Sequence, residues 1–172
     1  TVGLTINEPV ALSGAVSLQN DVTCNGGSDG SATIAASDGT SPYTYNIGAG
    51  AQATGSFTGL SAGSYTVTIT DDNNCTTTVG LTINEPIALV GSLDATTDVL
   101  CNGASDGTAT VSASGGTSPY TYNIGAGAQA TGSFTGLSAG SYTVTITDDN
   151  NCTTTVGLTI NEPVALSGAV SL

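Results

Sequence analysis

The 172-residue chain contains no lysine, no arginine and no histidine, and it also lacks methionine and tryptophan. Each absence removes a class of function. Binding nucleic acid by counterion release needs Lys and Arg. Attraction to anionic lipid needs them as well. Acid–base or nucleophilic catalysis has no His or Lys to serve as a base, so no enzyme is expected. Cross-linking by Lys–Asn isopeptide bonds is excluded, and trypsin-like proteases have no cleavage site. No stretch approaches 18 consecutive apolar residues, so no membrane-spanning helix is expected. Against 13 Asp and Glu residues stands no basic side chain, giving a formal net charge of −13. These carboxylates are either solvated or hold cations.

What is present is periodic. Residues 1–18, TVGLTINEPVALSGAVSL, recur as residues 155–172. Residues 39–86 recur letter for letter as 116–163, and Cys24 and Cys75 recur as Cys101 and Cys152, 77 positions on. Two periods of 77 leave the 18 shared residues, so the chain reads as a window on a tandem array. The differences are concentrated in QNDVTCNGGSDGSATIAASD against TTDVLCNGASDGTATVSASG, and in the few residues after each Pro.

Within one period, apolar and small polar residues alternate with period two, and helical periodicity is absent. Tyr65, Val67 and Ile69 alternate with Thr66, Thr68 and Thr70; Val79, Leu81 and Ile83 alternate with Thr78, Gly80 and Thr82. Leu12, Gly14, Val16 and Leu18 form a further apolar set, as do Ala32, Ile34 and Ala36, and Tyr43, Tyr45 and Ile47. Asn-Gly, Asp-Gly and Asp-Asp-Asn-Asn turns separate these runs. Six or seven short strands with turns every 8–12 residues imply an all-β fold of tandem immunoglobulin- or fibronectin-like antiparallel sandwiches. In GLSAGSYTVTIT, a Leu, a Gly turn and a Tyr opening a strand have the form of a tyrosine corner, at Leu60 and Tyr65 and again at Leu137 and Tyr142. The expected organisation is 1–9 as the last strand of a preceding repeat, 10–86 and 87–163 as two repeats, and 164–172 as the first strand of a following one. Asn-Glu-Pro forms each joint, since proline ends a hydrogen-bond ladder.

The combination of Cys-Asn-Gly, Asp-Gly-Ser/Thr-Ala-Thr, Pro-Tyr-Thr-Tyr, Gly-Leu-x-Ala-Gly-x-Tyr and Glu-Pro, in that order in both units, resembles the SprB-type repeat. Such repeats occur in very large surface adhesins of Bacteroidota, gliding-motility adhesins among them. The resemblance implies an extracellular repeat, on the cell surface or in a secreted filament, that serves as a spacer. That family often has Gly where this chain has Asn74. The expected partners are neighbouring repeats of the same chain and lateral copies in a filament, with no nucleic acid and no membrane insertion. A glycan- or cell-surface-binding module is the alternative. It is disfavoured because sugar sites stack on exposed aromatics, and the tyrosines here are in phase with the core.

Two sets of residues are candidate sites. Four cysteines, two per unit, read as disulfides made outside the cytosol. Bridges within a unit, Cys24 to Cys75 and Cys101 to Cys152, would each close a loop of roughly 50 residues and contribute ~2–4 kcal/mol. Independently folding repeats favour this pairing, although in a seven-strand sandwich the two turns lie at opposite ends. Pairing of Cys24 with Cys152 across units and unbonded thiols are the other readings. The second set is oxygen-only. Asp71 and Asp72 with Glu8, and Asp148 and Asp149 with Glu85, are a candidate calcium site, since Ca²⁺ takes 6–8 oxygens. An ordinary solvated turn is the alternative there, and no other cofactor is expected.

Overall fold

The computed structural model describes residues 2–168 and divides them into two compact units, parting between Glu85 and Pro86. The first unit has seven strands: β1 (Ser13–Asn20), β2 (Gly30–Ser37), β3 (Thr44–Asn46), β4 (Ala51–Gln52), β5 (Ser56–Leu60), β6 (Gly63–Thr70) and β7 (Thr76–Ile83). The second repeats them as β8 (Val90–Thr97), β9 (Gly107–Ser114), β10 (Thr121–Asn123), β11 (Ala128–Gln129), β12 (Ser133–Leu137), β13 (Gly140–Thr147) and β14 (Thr153–Ile160). All pairing is antiparallel, in a three-stranded sheet β1-β2-β5 and a four-stranded sheet β4-β3-β6-β7, with β12-β9-β8 and β11-β10-β13-β14 in the second unit. This is the all-β, fibronectin-like sandwich that the period-two pattern implies.

The core lies between the two sheets. Ala32 and Ile34 of β2 and Phe57 of β5 face Tyr45 of β3, Val67 and Ile69 of β6, and Val79, Leu81 and Ile83 of β7. Val67 and Ile69 are wholly buried, and each such side chain contributes ~1.5–3 kcal/mol of burial free energy. The second unit uses the equivalent set, centred on Val144 and Ile146. The alternating threonines point the other way. Thr68 pairs with Thr78 and Thr70 with Thr76 across β6 and β7, which gives the four-stranded sheet an outer face of hydroxyls. The Ser41–Pro42 and Ser118–Pro119 peptide bonds are cis.

One expectation changes. The alternation in β1 does not persist, because a bulge between Val16 and Leu18 shifts its register against β2. Leu12 packs on the core, while Val16 is 37% and Leu18 57% exposed. Residues 2–6 form no strand, although the identical TVGLTI is part of β7 and β14. There it pairs with β6 or β13, and among the described residues the first copy has no such strand beside it. Residues 164–168 likewise lie outside any strand, and 169–172 lie outside the described residues.

Gly14 marks the closest approach of β1 to the opposite sheet. A Cβ there would collide with Ile69 and meet Val79 Cγ2 at 3.0 Å, and at Gly91 it would meet Ile146 and Val156 at 2.5 Å each. Gly80 instead faces open space on the threonine side of β7. We predict that Gly14→Val or Gly91→Val lowers unfolding stability by ~1–3 kcal/mol through overpacking. Gly80→Thr should leave stability unchanged or raise it by ~0.5–1 kcal/mol, since glycine weakens a strand interior. Urea denaturation of the three variants checks the contrast.

Candidate functional site: the two poles of each unit

Antiparallel pairing makes the strands of a unit alternate in direction, and with seven strands the chain enters at one pole and leaves at the other. The candidate residues gather at these poles.

At the entry pole, the Asp71-Asp72-Asn73-Asn74 turn joins β6 to β7. Asn74 has φ 64°, a left-handed conformation that accounts for the glycine the SprB-type pattern has there. Asp71 is buried, and its carboxylate accepts three backbone N–H groups. Oδ1 takes those of Asn73 at 3.0 Å and Cys75 at 2.8 Å, and Oδ2 takes that of Thr40 at 2.9 Å. Asp148 is arranged alike, with Asn150 at 3.0 Å, Cys152 at 2.8 Å and Thr117 at 2.8 Å. The pole closes on the incoming chain through Gly39 N–H to Val10 O at 3.3 Å, and through Gly116 N–H to Ile87 O at 2.8 Å. Gly39 has φ +61°, and a Cβ there would sit 2.8 Å from Asp71 Oδ2. The hydrogen bond from the Thr40 N–H, above all, holds the Asp71 carboxyl below the usual carboxylate range, against desolvation.

At the exit pole, the segment between β1 and β2 folds onto the end of β7. Val22 N–H donates to Asn84 O at 3.0 Å. Asp21 accepts the Asn84 backbone N–H at 2.9 Å and its side-chain amide at 3.0 Å, which lower its pKa. Asp29 accepts the Thr23 hydroxyl and, at 3.0 Å, the Thr23 N–H; the hydroxyl is the main cause of its lowered pKa. Glu85 Oε2 accepts the Gly26 N–H at 2.6 Å, and Glu162 Oε2 the Gly103 N–H at 2.9 Å. Asn84-Glu85 and Asn161-Glu162 are thus tied into the units they follow, next to the Cys24 and Cys101 turns.

Sequence reasoning did not find these links between Asp21, Asp29 or Glu85 and their partners. The sequence offers no signal for Asp21 and Asn84, which stand 63 positions apart. Of the metal candidates, Glu8 borders the same shallow hollow as Asp71. Glu85 is engaged at the exit pole of its own unit. Asp72 is exposed, and its N–H donates to Thr40 O at 2.9 Å. Among the described residues, no three Asp, Glu or Cys side chains gather to hold a metal ion. The corner residues meet as a corner: Tyr65 Oη donates to Ser61 O, and Tyr142 Oη to Ser138 O, each at 2.9 Å, over buried Leu60 and Leu137.

The cysteines correct the favoured pairing. Cys75 and Cys101 are exposed free thiols, while Cys24 and Cys152 are disulfide-bonded. Neither bridge within a unit forms. Cys75 precedes β7 at the entry pole, and the Cys24 turn is bound to Glu85, beyond the end of β7. Eight residues of strand, at ~3.4 Å each, span about 27 Å, against the ~7 Å limit between bridged Cα atoms.

Residues 17–52 and 93–129 match the family model described as SprB repeat. Each unit thus holds a segment that matches the SprB repeat. No curated protein matches it. Among solved structures it is similar to three N-terminal domains of the highly immunogenic outer capsid protein (Hoc) of bacteriophage RB49, at 17% identity and TM-score 0.43 over 87% of this chain and 58% of that one. It is also similar to the fibronectin(III)-like modules of Clostridium thermocellum CbhA, at 13% identity and TM-score 0.36 over 87% and 95%. A C-terminal fragment of intimin, solved in complex with the intimin-binding domain of its translocated receptor, matches at 17% identity and TM-score 0.40 over 90% and 65%. This chain thus spans less than two thirds of the Hoc and intimin fragments.

The lowered carboxyl pKa values give a signed pH dependence. Groups depressed in the folded state stabilise it fully above the ordinary carboxylate value of ~4, and that contribution is lost as pH falls through the lowered values. We predict that thermal stability drops below about pH 4. Asp71→Asn should lower the melting temperature at pH 7 and make the acid drop shallower, because one of the groups responsible is gone. Melting curves from pH 2 to 7 on both proteins check this.

Proposed function

We propose that this chain is a structural segment of an extracellular stalk or filament, part of a large bacterial surface adhesin, and that it is not an enzyme. The observation that carries the reading is the placement of its functional groups. Two SprB repeats of nearly identical sequence concentrate their cysteines and most of their carboxylates at the poles, where the chain enters and leaves, Asp94 in β8 apart. Between the poles they present a neutral face of threonine hydroxyls. Such a unit transmits position along a chain. The tyrosines that could stack on sugars are drawn inward, with Tyr45 and Tyr122 buried. The cell-surface placement rests on the SprB repeats and on disulfide-bonded cysteines, which persist in oxidising surroundings.

Single-molecule pulling under reducing conditions tests this. The stalk reading expects two equal unfolding events, each releasing about 200 Å of chain, from roughly 70 residues at ~3.4 Å less the folded length. A glycan array or intact cells retaining the chain at micromolar concentration would overturn it in favour of an adhesive module.

In the same reading the carboxylates serve as internal hydrogen-bond acceptors and as a solvated negative coat, and calcium takes no part in holding a unit together. Melting with and without chelator, at matched ionic strength, should give equal midpoints. A midpoint raised by added calcium would instead assign the Asp71 and Asp148 turns a metal.

A further inference from the structure

Cys75 and Cys101 are free and exposed, yet the equivalent of each, one period away, is bonded: Cys152 matches Cys75, and Cys24 matches Cys101. The local structure around the members of each pair is the same. Cys75 N–H and Cys152 N–H both reach an aspartate Oδ1 at 2.8 Å. The carbonyls of Cys24 and Cys101 accept the N–H three residues on, from Gly27 at 2.9 Å and Ala104 at 3.0 Å. The loop holding each thiol therefore does not decide whether it is oxidised. Pairing within the repeat is closed to it by the length of β7.

We propose that Cys75 and Cys101 are docking thiols for further copies of this repeat. Cys75 at the entry pole takes a Cys101-type thiol from a repeat on its N-terminal side. Cys101 at the exit pole takes a Cys75-type thiol from a repeat on its C-terminal side. The inference deepens the structural reading above, on which it rests. The chemistry is thiol–disulfide exchange with a small-molecule or protein disulfide as oxidant. One cysteine thiolate attacks that disulfide, forms a mixed disulfide and releases one thiol. The second cysteine thiolate then attacks the first cysteine's sulfur and releases the other thiol. Two cysteine thiols are oxidised to one S–S bond, and one oxidant disulfide is reduced to two thiols.

The consequence is mechanical. From Cys75 to Cys101 the backbone runs 26 positions. The bond at Cys101 then leads to a Cys75-type residue two periods beyond Cys75. In a continuous array two such routes would interleave, so tension would pass through the 26 backbone positions that follow each second cysteine in every period of 77. The rest would be shielded from extension even if a sandwich opened.

The test compares the 172-residue chain with the same chain extended at its C-terminus by another copy of residues 19–95, which continues the period. Both are oxidised in a glutathione buffer, denatured without reductant and alkylated. They are then digested at Asp and Glu, since trypsin has no site, and mapped by mass spectrometry. In the shorter chain Cys75 and Cys101 are expected to be alkylated. In the extended chain Cys101 loses its alkylation and appears linked to the second cysteine of the added repeat. Changing that added cysteine to Ser should restore alkylation at Cys101, with an unchanged circular dichroism spectrum. Cys101 still alkylated in the extended chain, or linked to Cys152, would overturn the proposal, as would alkylation of all four cysteines in the shorter chain. A negative result leaves the structural reading standing, because pulling and binding test that reading without reference to thiols.

Discussion

Backbone N–H groups stabilise the charged carboxylates of Asp21, Asp29, Asp71, Asp148, Glu85 and Glu162, since the chain has no basic side chain to do so. A carboxylate withdrawn from water without partners is costly, and one that accepts two or three N–H bonds is stabilised in its charged form. Asp71 and Asp148 follow this rule with three N–H donors each. Asp21, Asp29, Glu85 and Glu162 follow it with one or more backbone donors apiece. The donors that reach these carboxylates, from Thr23, Gly26, Thr40, Asn73, Cys75 and Asn84, lie in turns and just beyond ladder ends. The requirement therefore places the carboxylates that take backbone donors at strand ends, and strand ends lie at the poles.

The odd number of strands completes the arrangement. An even count would return the chain to its entry pole and bring both joints to one end. Seven strands send it through, so each unit receives the chain at one end and passes it on at the other. The same parity separates Cys24 from Cys75 by the length of β7 and forbids the bridge that an independent small domain would be expected to make. Strand parity thus decides both the direction of the chain and which cysteines can meet.

Features governed by local period or turn chemistry were legible in the sequence. The 77-residue repeat, the alternation in β6 and β7, and the tyrosine corner needed only neighbours within a few positions. The bulge at Val16 was not legible, because a one-residue slip leaves the residues of the strand unchanged and shows only against its partner β2. The two-residue β4 has too little sequence to carry a pattern. Asp71 read as a hydrated turn or a cation ligand because its deciding donor, Thr40 N–H, lies 31 positions away. The cysteine pairing was misjudged for a similar reason: a preference for self-contained repeats was weighed against an end-to-end separation that only the assembled sheet makes definite.

Near-identical neighbours carry a hazard, since adjacent domains of high identity exchange strands and misassemble during folding. The strands β6 and β13 are identical, as are β7 and β14, so a swapped sheet would satisfy the same ladder. Two features oppose this. Hairpins between consecutive strands close quickly, and β6–β7 pairs in full register across the four-residue Asp-Asp-Asn-Asn turn plus Cys75. The exchange partner must also bring its own uncompensated carboxylates close before any ladder forms, and no cation in the chain offsets that approach. The same negative charge that requires backbone donors in the folded unit therefore favours each repeat pairing with itself.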